Sequence, residues 1–321
     1  MPHRFVSRLF LALLLGSFVP GWRSATPPVF APFQYPINMT LAEDRLYVSD
    51  GNTGVQVFDV SDLAAPKKLL QIPLRGNRGS AVKGDIVFAN QYGQLQAIRI
   101  TGDTYTVVAR IGVEFSDSPP WNEDTNPDYG FACACSQGYA PLTAPTSGGS
   151  SYATFALVDD YLYRVDEGTL VTYNVSAPEK PKEISRQHVG WTIETLYPTQ
   201  NYLFVGGRRG MYIYDRTDPA RPVQISQIEH ARACDPVVVS GSIAYVTLRG
   251  TSACGSTPDE LLCVSIKQPS APQIIGVKPL PTPWGLAVKN SHLYVSNGEN
   301  GYSLIDVSRP AEPSVAAAWA D

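Results

Sequence analysis

The sequence predicts an all-β fold, a β-propeller of six four-stranded blades, and three observations carry that prediction. A unit of about 41 residues recurs six times. The stretch LYVSD at Leu46–Asp50 returns as LYVSN at Leu293–Asn297, and GVQVFDVSDLAAP, ending at Pro66, returns as GYSLIDVSRPAEP, ending at Pro313. Within each unit, apolar and aromatic residues alternate or cluster in short runs bounded by Gly, Asn, Asp and Pro, which is the pattern of strands. Beyond the N-terminal segment no 3.6-residue apolar period persists long enough for a helix. A unit of this length holds four short antiparallel strands, and radial repetition of such units leaves only short sheet edges.

Residues 1–25 stand outside the repeats. Arg4 and Arg8 give a basic start, Leu9–Val19 is a short apolar run, and Pro20, Gly21, Ser24 and Ala25 supply small or turn-forming residues for cleavage. That order predicts an export signal rather than a membrane span. Residues 26–321 then read as a single propeller domain with an insertion at 114–151. No later stretch is long and apolar enough to cross a membrane as a helix.

In the first unit the strands read NMTLAED, RLYVSDG, VQVFDVS and KKLLQIPL in turn. The second strands align on Leu46, Ile86, Leu162, Leu203, Ala244 and Leu293. The third strand ends at Asp59, Asn174, Asp215, Ser265 and Asp306 in five units, and Pro66, Pro181, Pro222, Pro272 and Pro313 follow at a constant interval. Asp or Asn with a following Ser caps a turn through its side chain. Proline then opens an outer strand, where a missing N–H matters least. The second unit departs from this rule, with Arg99-Ile100-Thr101-Gly102-Asp103 predicting a shorter turn. The insertion contains SDSPPWNEDTNPDYG, with no alternation and three prolines. It argues against the alternative of a seventh blade.

These residues resemble a known family. LYVSDGNTGVQVFDVSDLAAP and LYVSNGENGYSLIDVSRPAEP are similar to LVIVD repeats, which build exported bacterial β-propellers, and ARACDPVVVSGSIAYVTLRGTSACGS is similar to a blade of one subgroup. The resemblance implies the fold and export. It implies no reaction and hence no catalytic residues.

Antiparallel strands put the repeated Asp…Pro turns on one face. The second-to-third turns and the blade-to-blade links lie on the other, and irregular loops on a regular scaffold are where function concentrates. That loop-rich face is expected to hold His188, Trp191, Arg208, Arg209, His230, Arg232, Arg249 and Trp284, along with Arg75, Arg78 and Tyr92. Cationic and aromatic side chains around a ring mouth suit an anionic or planar ligand. The structural alternative is a solvated rim, with the tryptophans packing inner strands. His188 and His230 are the candidates for acid–base chemistry, but no carboxylate set accompanies them in sequence. There is no Gly-x-Ser-x-Gly elbow, no phosphate loop and no zinc-ligand spacing. No catalytic residue, metal or cofactor is therefore assigned. The insertion, with Glu114, Asp117, Glu123, Asp124 and Asp128, reads as a lid, a partner epitope or a plain excursion.

Five cysteines are too few for a disulfide scaffold. Cys234, before the first strand of the fifth unit, and Cys254, in its second-to-third turn, are the expected pair. Cys263 aligns with Val57 as a buried apolar residue, and Cys133 and Cys135 are left open. Removing Arg4, Arg8 and Arg23 from the 25 Lys and Arg leaves 22 against 29 acidic residues, a net charge of −7. A negative chain argues against general nucleic-acid binding. The expected function is an exported, non-enzymatic propeller, in the periplasm, at the cell surface or outside the cell. It binds a protein partner or a small anionic or planar ligand through the loop-rich face. A hydrolase or lyase using that face is the alternative.

Overall fold

A computed structural model describes residues 36–62, 66–74, 76–91, 93–112, 154–166, 168–190, 193–207, 209–229, 236–250, 258–297 and 300–319. They form six four-stranded antiparallel sheets. Blade 1 is β1 (Pro36–Ala42), β2 (Arg45–Asp50), β3 (Gly54–Asp59) and β4 (Lys67–Ile72). Blade 2 is β5 (Ser80–Lys83), β6 (Ile86–Gln91), β7 (Gln94–Thr101) and β8 (Thr104–Ile111). Blade 3 is β9 (Phe155–Val158), β10 (Tyr161–Asp166), β11 (Thr169–Asn174) and β12 (Lys182–His188). Blade 4 is β13 (Ile193–Pro198), β14 (Tyr202–Gly207), β15 (Gly210–Asp215) and β16 (Val223–Glu229). Blade 5 is β17 (Val237–Ser240), β18 (Ile243–Leu248), β19 (Glu260–Ser265) and β20 (Gln273–Pro279). Blade 6 is β21 (Leu286–Lys289), β22 (His292–Ser296), β23 (Tyr302–Asp306) and β24 (Ser314–Trp319). Each sheet takes its four strands from one continuous stretch, so the first and last blades are complete in themselves. The insertion at 114–151, the N-terminal 25 residues and the segment PPVFAPFQY lie outside the described residues.

One backbone hydrogen bond repeats in all six blades and superposes them without an alignment. Val60, Ile100, Val175, Arg216, Ile266 and Val307 donate their N–H to the carbonyls of Asp44, Asp85, Asp160, Asn201, Ser242 and Ser291, at 2.7–2.9 Å. The counterpart of Leu46 in blade 2 is thereby Val87, one residue later than the expected Ile86. Blade 2 lacks the Asp-Val-Ser…Pro anchor, so apolar pattern alone could not fix its register. A register shift also recurs at one equivalent place between third and fourth strands, as at Val57/Phe58 and Leu304/Ile305. Such a bulge increases the local twist of the outer strand.

The middle strands are buried on both sides because each sheet is sandwiched between neighbours. Tyr47, Val55 and Val57 pack with Val82, Val87 and Ile98 between blades 1 and 2. Phe88, Leu95 and Ala97 pack with Leu162, Val171 and Tyr173 between blades 2 and 3. A continuous cluster then runs through blades 4, 5 and 6. Cys263 belongs to it, fully buried, at the position Val57 holds in blade 1. Cys133, Cys135, Cys234 and Cys254 lie outside the described residues.

Four of the five predicted caps are present. Asp59, Asn174 and Asp215 each accept both the N–H and the hydroxyl of the residue two places on, at 2.6–2.9 Å. Asp306 accepts the Ser308 N–H at 2.8 Å. The prolines sit directly before β4, β12, β16, β20 and β24. In blade 2 the turn is two residues, and Arg99, at the cap position, instead pairs with Asp85 and reaches Glu179 of blade 3. At the outer rim, Ser185 donates to the Ala220 carbonyl at 2.6 Å and Ser226 to the Pro269 carbonyl at 2.5 Å, each stitching a blade to the turn of the next.

Candidate functional site

Of the eight side chains expected on the loop-rich face, the structure brings two together. The Arg249 guanidinium carbon lies 3.2 Å from the Trp284 ring centroid. Arg249 follows β18 and is only 1 % exposed, while Trp284, in the link between blades 5 and 6, is half-buried. A guanidinium is weakly hydrated and planar, so an indole face stabilises it on burial. Arg209 is exposed in the β14–β15 turn, and His188 is exposed at the end of β12, the outermost strand of blade 3. Neither reaches the Arg249–Trp284 stack through a hydrogen bond or ion pair given by the structure. Trp191, Arg208, His230 and Arg232 lie outside the described residues, as do Arg75 and Tyr92.

The stack is held by groups that the sequence did not single out. The Asp259 carboxylate accepts the N–H of Gly250 at 2.9 Å and of Thr282 at 3.1 Å. It thus pins the residue after Arg249 and one shortly before Trp284. Thr282 donates its hydroxyl to the Asn297 carbonyl at 3.0 Å and accepts from the Asn300 side chain at 2.8 Å. Its φ of +39° is a strained conformation for a β-branched residue, kept in place by these bonds. Trp284 is paired through its backbone with Ser296, N–H to carbonyl at 2.7 Å. A loop from each of two blades and the link between them therefore meet at one corner. Asp259, Thr282 and Asn297 were illegible because their partners are distant in sequence and belong to no repeated motif.

The position of Asn297 in blade 6 is that of Asp50 in blade 1. Asp50 is fully buried and its Oδ1 accepts the N–H groups of Asn52 and Thr53, both at 2.9 Å, closing its own turn. Asn297 donates to the Ser303 hydroxyl at 2.7 Å, but its Oδ1 is buried without a hydrogen-bond partner.

Among the described residues, no three His, Cys, Asp or Glu side chains come together as metal ligands would, and no helix is long and apolar enough to cross a membrane. Asn38 is buried in β1 and Asn174 caps a turn, so both NxS/T patterns have structural roles.

Six radially repeated four-stranded sheets define a β-propeller. The LVIVD repeat family matches residues 38–70 and 283–320, so the first and last blades carry LVIVD repeats. Among solved structures, the chain is similar to a protein from Lactobacillus plantarum, with 16% identity over 90% of this chain and 86% of that one and a TM-score of 0.65. It is similar to the periplasmic gluconolactonase PpgL of Pseudomonas aeruginosa, with 13% identity over 92% and 87% and a TM-score of 0.64. BamB from Moraxella catarrhalis gives 8% identity over 89% and 76% and a TM-score of 0.55. At these identities the likeness is one of fold. No curated protein matches the chain.

Proposed function

We propose that this chain is an exported propeller that binds a small ligand or a protein partner through its loop-rich face, without turning it over. The observation that carries the reading is the contrast between the two faces. On one, the turns are closed by their own Asp, Asn, Ser and Thr side chains. On the other, a buried cation is stacked on a half-buried tryptophan at a corner where three loops converge. A planar or anionic group suits that chemistry, since guanidinium pairs with carboxylates and indole stacks on flat surfaces. Export is supported by the charge–apolar–small order of residues 1–25. One fold neighbour, the gluconolactonase PpgL, is called periplasmic.

The test is a thermal-shift screen of small anions and flat ring compounds at fixed low salt. Wild type is compared with Arg208→Ala/Arg209→Ala and with Trp284→Ala, beside fractionation of cells expressing the full chain. Ligands that stabilise wild type and are weakened by either change support the reading. Ligands that bind all three proteins equally, or product accumulating during incubation, would overturn it.

A further inference from the structure

We infer that the junction of blades 6 and 1 carries a docking cleft, and that residues 27–35, the stretch leading into β1, are its occupant. The repeat reveals the cleft by comparison. In the backbone superposition, Tyr294, Tyr302 and Leu304 of blade 6 stand where blade 1 has Tyr47, Val55 and Val57. In blade 1 these three pack against Val82, Val87 and Ile98 of the following blade. The same three positions are at most 4 % exposed in each of blades 1 to 5, as at Phe88, Leu95 and Ala97 or at Tyr245, Leu261 and Cys263. In blade 6, which blade 1 follows around the ring, all three are only half-buried.

The opposite wall repeats the contrast. Leu41 of β1 is 37 % exposed, whereas Val82, Leu157, Val239 and Val288 at its position are 6–8 % exposed. Val82 packs on blade 1, so Leu41 faces blade 6. Farther out, Ala317 takes the place from which Ser185 and Ser226 reach the next blade's turn, and it has no hydroxyl to do so. Among the described residues, the buried apolar clusters join blades 1 and 2, 2 and 3, 3 and 4, and 4 to 6, and none spans 6 and 1. Leu46, Val48 and Phe58 on the blade 1 side are nevertheless at most 2 % exposed. The opening is therefore a shallow cleft along blade 6, not a gap through the ring.

The lining of the cleft selects its occupant. Trp319 lies 5.4 Å from Tyr302, ring centroid to ring centroid, and is half-buried like Tyr294. Aromatic-lined grooves take extended Pro-rich segments, whose restricted backbone loses little freedom on docking. The stretch TPPVFAPFQY at 26–35 has three prolines, two phenylalanines and no charge. It enters β1 at Pro36, which is paired with Asp50, at the same end of its sheet as Tyr302, which is paired with Ser296. Residues 27–35 span up to about 30 Å when extended, and a four-stranded sheet is about 15 Å across. The stretch is thus long enough to run the full width of the cleft. Tethering also gives it a local concentration on the order of millimolar, an advantage that a separate peptide or a second copy lacks.

The experiment uses the full chain and reads peptide-resolved hydrogen exchange. Phe30→Ala/Phe33→Ala removes both phenylalanines of the stretch and leaves every strand of the six blades unaltered. Exchange in β23 and β24 should quicken about tenfold and stay unchanged in β14 and β15. A synthetic peptide of residues 26–35 should bind that variant saturably. Its affinity for wild type, whose own stretch competes, should be at least about tenfold lower. Leu304→Ala added to the variant should weaken the peptide, and Tyr302→Leu serves the same purpose where Leu304→Ala does not fold. Exchange in β23 and β24 that ignores the loss of the phenylalanines overturns the inference. So does a peptide that binds wild type and variant alike, because its site would lie elsewhere. A wild-type dimer that Leu304→Ala splits, with the peptide left unbound, would give the cleft to a second copy and overturn it too.

Discussion

Arg249 and Trp284 meet face to face at 3.2 Å across the junction of blades 5 and 6, one following β18 and the other preceding β21. The contact joins two blades through side chains rather than through the sheet ladder. It also lets a guanidinium be buried, with Arg249 only 1 % exposed.

Trp284→Ala should therefore be costly out of proportion to the exposed part of the ring. The stack is desolvated on the arginine side, and truncation also leaves a void, so a loss of about 2–3 kcal/mol is expected. Trp284→Phe, which retains a smaller aromatic face, should recover part of it. A urea melt read by far-UV signal checks this, and an unchanged midpoint for Trp284→Ala would show that the stack is incidental.

The capped turns make acid stability a property of the repeat. The Ser61 and Thr217 hydroxyls and N–H groups hold the Asp59 and Asp215 carboxyls below their ordinary value of 3.8, and the Ser308 N–H and hydroxyl do so for Asp306. Each folded pKa is depressed, so the contribution is present above about pH 3.8 and is lost as pH falls through the folded values. Asn174, which makes the same cap in blade 3 without a charge, is the built-in control. The triple change Asp59→Asn/Asp215→Asn/Asp306→Asn should flatten the fall in melting temperature between pH 5 and pH 2. A slope identical to wild type would place the acid sensitivity elsewhere.

The interior sets the alkaline limit. Burial pushes the Cys263 thiol up from 9.0 to about 12 and the Tyr214 and Tyr245 hydroxyls from 10.0 to about 12. The unfolded chain then ionises first, so these groups' contribution is intact below about pH 9 and falls as pH rises above it. Cys263→Val, the residue blade 1 uses at this position, should melt close to wild type at pH 7 and lose less stability at pH 10. Cys263→Ser buries a hydroxyl and should cost about 1–3 kcal/mol. Peptide-resolved alkylation should leave Cys263 unmodified in native buffer and modify it in urea. Modification in native buffer would contradict its burial.

What was legible in the chain is what repeats. Strand alternation and the proline seven residues after the third strand recur in five units, four of them with an Asp or Asn cap, so blade count, strand order and the capped face could be read directly. Where the cap is missing, in blade 2, the second strand slipped by one residue. Arg216 was overlooked because it occupies the valine position of the cap motif. There it donates to the Tyr163 hydroxyl at 3.1 Å and stitches blade 4 to blade 3. The corner at Arg249 was half legible. Arginine and tryptophan on an irregular face drew attention by composition, whereas Asp259, Thr282 and Asn297 act through contacts between different blades. Local pattern holds no record of those contacts.

The outer rim offers the sharpest test of how blades fit together. Ser185, Ser226 and Gly276 each stand four residues after the proline that precedes their outer strand, facing the turn of the next blade. The two serines reach a carbonyl of that turn with a hydroxyl, at 2.6 and 2.5 Å. Gly276 makes a closer approach, and a Cβ added there would lie 2.2 Å from the Pro310 carbonyl oxygen and 3.1 Å from Ala311. Both obstacles are backbone, so neither can swing aside. Gly276→Ala should cost about 1–3 kcal/mol through overpacking. Ser226→Ala, which loses one hydrogen bond and adds no atoms, should cost about 1 kcal/mol. The order of the two costs is the measurement. If Gly276→Ala melts with wild type while Ser226→Ala falls, blade 6 is free to back away from blade 5, and the rim contact is not what fixes their spacing.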